Sequence, residues 1–185
     1  MRSLVIGLVL AVSTPALAQA PHVHTPESPQ IVHDKSISSL LQGIDTVPSR
    51  ETFEAAHPNP SLALQAIALD NSQGTYLRRR AITLLSHWPT QDNLNFLRGL
   101  NRLEVKELRS MAIYTIGQVY GETHSEVATE AIEVALKDPE LEVREWAVRA
   151  LRWTAGERAS TLLAELINDT ELGRLAERAR RSHLR

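Results

Sequence analysis

Asp138-Pro139-Glu140-Leu141-Glu142-Val143-Arg144-Glu145-Trp146-Ala147-Val148-Arg149-Ala150-Leu151 is the stretch that decides the fold. Asp138-Pro139 stops whatever precedes it. Leu141, Val143 (or Trp146), Ala147, Ala150 and Leu151 then fall on one face of a helix. Alanine at the closest positions lets a neighbouring helix approach tightly. Weaker copies stand on both sides. Leu77-Arg78-Arg79-Arg80-Ala81 and Leu108-Arg109-Ser110-Met111-Ala112 align without gaps on Val143-Arg144-Glu145-Trp146-Ala147, and Leu172-Gly173-Arg174-Leu175-Ala176 aligns with glycine in the arginine position. The aligned alanines at 81, 112, 147 and 176 are 31, 35 and 29 residues apart. A repeat of that length built from two helices predicts an all-α, α-α superhelical solenoid. No single pair could bury such a face alone, so stacked neighbours make the core.

At these residues the chain resembles the HEAT-repeat superfamily, in particular short bacterial HEAT-like repeats of the phycobilisome-lyase type. The first helix of that family follows an Asp and reads Val-Arg-x-x-Ala-x-x-Ala-Leu, which residues 143–151 match throughout. Residues 77–85 and 108–116 match in part, with Leu for Val and Leu-Leu or Thr-Ile for the later Ala-Leu. The resemblance spans about residues 61–182. It implies that Arg78, Arg109 and Arg144 pair with turn acids such as Asp70 or Asp138 in a ladder between repeats. It also implies that the second helix of each repeat presents the concave face. The family serves many unrelated roles, so function has to be argued from the site.

Helices are expected near 61–70, 76–87, 91–101, 106–119, 124–137, 141–154, 157–167 and 171–182, with turns at Asp70-Asn71-Ser72-Gln73-Gly74, Trp88-Pro89, Tyr120-Gly121 and Ala155-Gly156. Two shorter helices, around Ile37–Ile44 and 49–56, make an N-terminal helical cap over 36–60, ahead of a repeat domain over 61–185. Residues 19–35 carry Pro21, Pro26, Pro29 and three His without apolar periodicity, and read as a disordered leader. Residues 1–18 read as a signal peptide: Arg2, an apolar run over 4–12, and Ala16-Leu17-Ala18 as the cleavage site, preferred over a cut after Ala20. The apolar run is about half of what a membrane span needs. A periplasmic or secreted location is therefore expected, with no membrane span.

There is no cysteine, which excludes a disulfide scaffold, a thiol enzyme and cysteine lipidation. Removal of residues 1–18 takes the net charge from −2 to −3, too near neutral for nucleic acid as the partner of the whole domain. Only residues 171–185 depart from this, with five Arg against Glu171 and Glu177, and that end reads as a solvated helix face with pairs such as Glu177–Arg181. His22, His24 and His33 lie in the leader without a completing carboxylate or thiol, so no metal site is assigned. No His-Glu-x-x-His, Gly-x-Ser-x-Gly or glycine-rich phosphate loop is present, and Ser125 with Glu126 reads as an N-cap and acidic first turn beside His124.

The second helices carry the candidate site. Asn95, Arg98 and Arg102 on one, Glu126, Glu130 and Glu133 on the next, and Glu165 on the third form a mainly acidic strip bordered by arginine. It reads equally as a docking strip for a basic segment of a partner protein and as an ordinary solvated face. Arg78, Arg109, Asp138, Arg144 and Trp146 are assigned to holding repeats together, and Trp153 to the core. The expectation is an exported, non-catalytic protein-interaction module needing no cofactor. The alternatives are an envelope assembly factor, or a lyase-type enzyme handling a prosthetic group.

Overall fold

The computed structural model describes residues 35–43 and 46–183, all within one compact unit; the signal-peptide and leader expectations over 1–34 lie outside them. In chain order the helices are α1 (Lys35–Gln42), α2 (Arg50–Ala56), α3 (Pro60–Leu69), α4 (Thr75–Leu84), α5 (Gln91–Gly99), α6 (Lys106–Tyr120), α7 (Ser125–Ala135), α8 (Leu141–Leu151), α9 (Glu157–Glu165) and α10 (Gly173–Arg181). Single 3-10 turns extend α4 through His87, α5 through Arg102 and α9 through Asn168. The described residues form helices and turns without a strand. The helices α7, α8 and α10 are shorter than expected, and Ser125, expected as an N-cap, is instead the first residue of α7. His124 precedes it without a side-chain cap, its ring being taken up by the Thr123 hydroxyl at 2.9 Å.

The helices lie in two layers. The first helices α4, α6, α8 and α10 pack successively on one another, with α1 against α4. Their aligned alanines, Ala81, Ala112, Ala147 and Ala176, are all fully buried. Helices α6 and α8 approach closely. A Cβ built on Gly117 would stand 2.7 Å from the Ala150 Cβ and 2.7 Å from its carbonyl oxygen. The second helices pack mainly on the first: α5 on α6, α7 on α6 and α8, α9 on α8 and α10.

The N-terminal helices share this core rather than sitting apart from it. Ile37, Leu41 and Phe53 are fully buried in the same cluster as Leu64 and Ile82. Trp88 meets Phe53 edge-on at 5.9 Å and donates its indole N–H to Glu54 at 3.2 Å, fastening α2 to the turn after α4. Asn93, fully buried, completes the join. Its Oδ1 accepts from the Ser61 hydroxyl (2.8 Å) and the Gln65 amide (2.7 Å) of α3, and its Nδ2 donates to the Trp88 carbonyl (2.6 Å). Asn93→Ala strands those groups, and the expected loss is about 2 kcal/mol. Urea unfolding followed by circular dichroism measures it.

The arginine position of the repeat has a recurring geometry. Arg109 turns Nη1 to the carbonyls of Leu103 and Glu104 (2.8 and 2.9 Å), the residues just before its own helix. Its Nε and Nη2 grip the Asp138 carboxylate of the next repeat at 2.8 Å each. Arg144 repeats this, with Nη1 on the Asp138 and Pro139 carbonyls (2.9 and 3.0 Å) and Nη2 on Glu171 at 2.5 Å. Arg78 is buried and donates Nε to the Ala68 carbonyl at 2.9 Å. In the last copy the Ile167 carbonyl would lie 2.4 Å from a Cβ on Gly173. Backbone there occupies the place of the missing arginine, which is why this copy departs from the pattern.

Turn acids share a second role. Asp70, Asp138 and Asp169 each accept the N–H two residues on, at 2.8, 2.9 and 2.8 Å, bending the chain into the following helix. Trp146 is half-buried rather than in the core. Its ring meets Tyr114 of α6 edge-on at 5.0 Å, so it lies across the α6–α8 junction. Trp153, assigned above to the core, is half-buried and meets the same tyrosine edge-on, also at 5.0 Å.

Candidate functional site

The layer of second helices leaves open grooves because its facing positions carry long charged side chains, whereas the first layer closes on alanine and glycine. Between α5 and α7 runs a hollow of about 580 Å³. Asn95, Arg98 and Arg102 line one wall, and Glu130, Ala131 and Val134 the other. Between α7 and α9 lies a second, of about 350 Å³, lined by Glu126, Glu130 and Glu133 opposite Arg158, with Ser125 and Thr129 in the wall. Glu130 belongs to both. Six of the seven residues chosen from the sequence thus line these adjoining grooves, and Glu165, exposed near the end of α9, lines neither.

The electrostatics differ from a bare acidic strip. Glu130 faces Arg98 at 3.6 Å, and Glu133 takes the Arg158 Nε at 2.6 Å. The hydrogen bond from Arg158 holds the Glu133 carboxyl below the ordinary carboxylate value, and the same bond raises Arg158. The strip is therefore a set of cross-helix ion pairs, and a purely basic partner would have to displace two arginines. Val134, 62% exposed, adds an apolar contact in the wider groove. Arg158 and Val134 escaped the sequence reading. The signal was present in their positions: Arg158 in the first turn of its helix faces Glu133, and Val134 breaks the polar outward set of α7.

Arrangements of this kind, exposed carboxylates already paired with guanidinium groups along open grooves, exchange charged partners at small cost. Among the described residues no cluster of three His, Asp or Glu side chains is placed to hold a metal ion, and no helix is long and apolar enough to cross a membrane.

Fold and surface together define an all-α protein of stacked helical pairs with grooves along one layer. Among solved structures it is similar to the complex of CpcE and CpcF of phycocyanin lyase from Nostoc sp. PCC7120, at 19% identity over 88% of this chain and 79% of that chain, with a TM-score of 0.36. No family model matches the chain. No curated protein matches it either. One expectation is corrected by this comparison. The protein was read as not an enzyme because catalytic motifs are missing, yet the similar structure is that of a lyase. A missing local motif does not make a helical repeat non-catalytic, since chemistry can be assembled from side chains scattered over several helices. The non-enzyme reading is not retained.

Proposed function

We propose that this chain binds a segment of a partner protein along α5, α7 and α9. The observation that carries the reading is the pair of adjoining grooves sharing Glu130, with Arg98, Arg158 and Glu133 on their walls and Val134 exposed beside them. Helices already packed on the first layer hold these groups in place, so little of the receptor has to be ordered on binding. The segment that fits carries charges of both signs, to exchange with the existing ion pairs, and one apolar side chain for Val134. Reversing Glu130 and Glu133 together to lysine leaves Arg98 and Arg158 facing like charge. The expected result is a drop in partner recovery of about tenfold in a pull-down from the periplasmic fraction, with the helical circular dichroism unchanged. Unchanged recovery from the folded double variant contradicts this site.

The same proposal takes residues 1–18 as an export signal, on the charged, apolar and small-residue order already described. N-terminal sequencing of the protein from its source cell is expected to begin at Gln19, and a chain retaining Met1 contradicts it.

A further inference from the structure

The layer of first helices carries a surface of different chemistry. Trp146 and Trp153 are seven residues apart on and just beyond α8, about two helical turns, and so share a face. Tyr114 of α6 meets both edge-on, with ring centroids 5.0 Å from each and interplanar angles of 81° and 85°. The guanidinium groups of Arg149 and Arg152 lie over the rings of Trp146 (4.9 Å) and Trp153 (4.6 Å) respectively. A guanidinium stacked on a ring is held flat, with its N–H edge left for an anion.

Across from these, α10 supplies Arg174 and Arg178, one turn apart. Two adjoining hollows, of about 170 and 220 Å³, lie between the helices with Leu175 in the wall of both. Arg149, Arg152 and Arg178 surround the first, and Arg149, Arg174 and Arg178 meet Glu145 and Glu171 in the second. Both acids are already engaged: Glu145 by Arg149 at 3.4 Å, Glu171 by Arg144 at 2.5 Å. Arg152, Arg174 and Arg178 have no carboxylate partner among the described residues. Three uncompensated cations around an apolar contact make a receptor for separate anionic groups.

We propose that this face of α6, α8 and α10 is a second docking surface, and that its occupant is an acidic peptide segment with carboxylates flanking an apolar side chain. Charge complementarity selects the carboxylates, and Leu175 with Ala179 receives the apolar residue between them. Separate carboxylates can seat on Arg152, Arg174 and Arg178 to either side of Glu145 and Glu171, whereas a continuous phosphate array, as in a nucleic acid or an anionic membrane, has to run past both acids in the second hollow. The surface lies on the opposite layer from the proposed partner groove and does not depend on it.

Two of the three tryptophans report on this face directly, the third being Trp88, 8% exposed beside Phe53. The test titrates the whole protein with a synthetic peptide of glutamates interrupted by leucine and follows tryptophan emission. A saturable change is expected, weakening as salt rises and absent with a lysine–leucine peptide. Arg152→Glu with Arg178→Glu should weaken binding about tenfold or more, while Arg181→Glu, outside both hollows, leaves it unchanged. Arg152→Gln with Arg178→Gln gives the same ordering should the charge reversal not fold. No response to the acidic peptide overturns the proposal. So does equal affinity in a folded double variant, or a response to phosphatidylglycerol vesicles without one to the peptide.

Discussion

Arg109→Ala should lower the unfolding free energy by about 3 kcal/mol, because it leaves Asp138 charged and nearly buried without its partner. Both side chains of that pair are only 10% exposed, and the two oxygens of Asp138 each take a guanidinium N–H at 2.8 Å. The arginine also binds the Leu103 and Glu104 carbonyls, so one side chain joins the entry turn of its own repeat to the turn of the next. At roughly 2–4 °C per kcal/mol for a domain of this size, the melting temperature should fall by about 6–12 °C. Calorimetry measures it, and a fall of about 1 °C or less would show that the pair does not hold the repeats together.

The same pair gives a pH dependence whose sign is determined. Burial pushes the Asp138 carboxyl up, but the hydrogen bonds from Arg109 and the Glu140 N–H outweigh it and set it below its ordinary 3.8. A depressed folded value means the contribution is fully present above the unfolded pKa and is lost as pH falls through the folded one. Wild-type stability should therefore drop below about pH 4, and Asp138→Asn should flatten that part of the profile.

Gly117→Val should be about as damaging, at the upper end of the 1–3 kcal/mol typical of overpacking. The first atom of any side chain at Gly117 meets Ala150 at 2.7 Å, on backbone as well as Cβ, so no rotamer relieves it. The helices α6 and α8 must move apart, and Tyr114 then loses its register with Trp146 and Trp153. Denaturant unfolding is expected to show a lower midpoint together with altered near-ultraviolet dichroism from those rings. Ala150→Gly in the Gly117→Ala background should restore part of the loss, since it removes the facing Cβ though not the carbonyl.

Much of the fold was readable because it rests on local signals. The spacing of Ala81, Ala112, Ala147 and Ala176 marks the packed face of the first helices, and all four are fully buried. Breakers such as Asp138-Pro139 and Ala155-Gly156 stand in the turns between helices. What was not readable depends on register between helices. That Trp146 and Trp153 both rest on Tyr114, and that arginines cover them, follows from how far α8 slides along α6. Arg78 binds a carbonyl, and the copy after it enters through Leu103-Glu104, without an aspartate where Asp138 precedes Arg144. At the grooves, the individual charges were legible but their pairing across helices was not. Arg98–Glu130 and Arg158–Glu133 join residues 32 and 25 positions apart, and they turn an acidic strip into a mixed one.

Hydrogen–deuterium exchange on the protein with and without its recovered partner tests the docking account most directly. Partner binding along the second layer should slow exchange in the segments bearing the grooves, residues 95–102 at the end of α5 and 125–134 on α7. Protection confined to other helices, with these two segments exchanging as in the free protein, would contradict it.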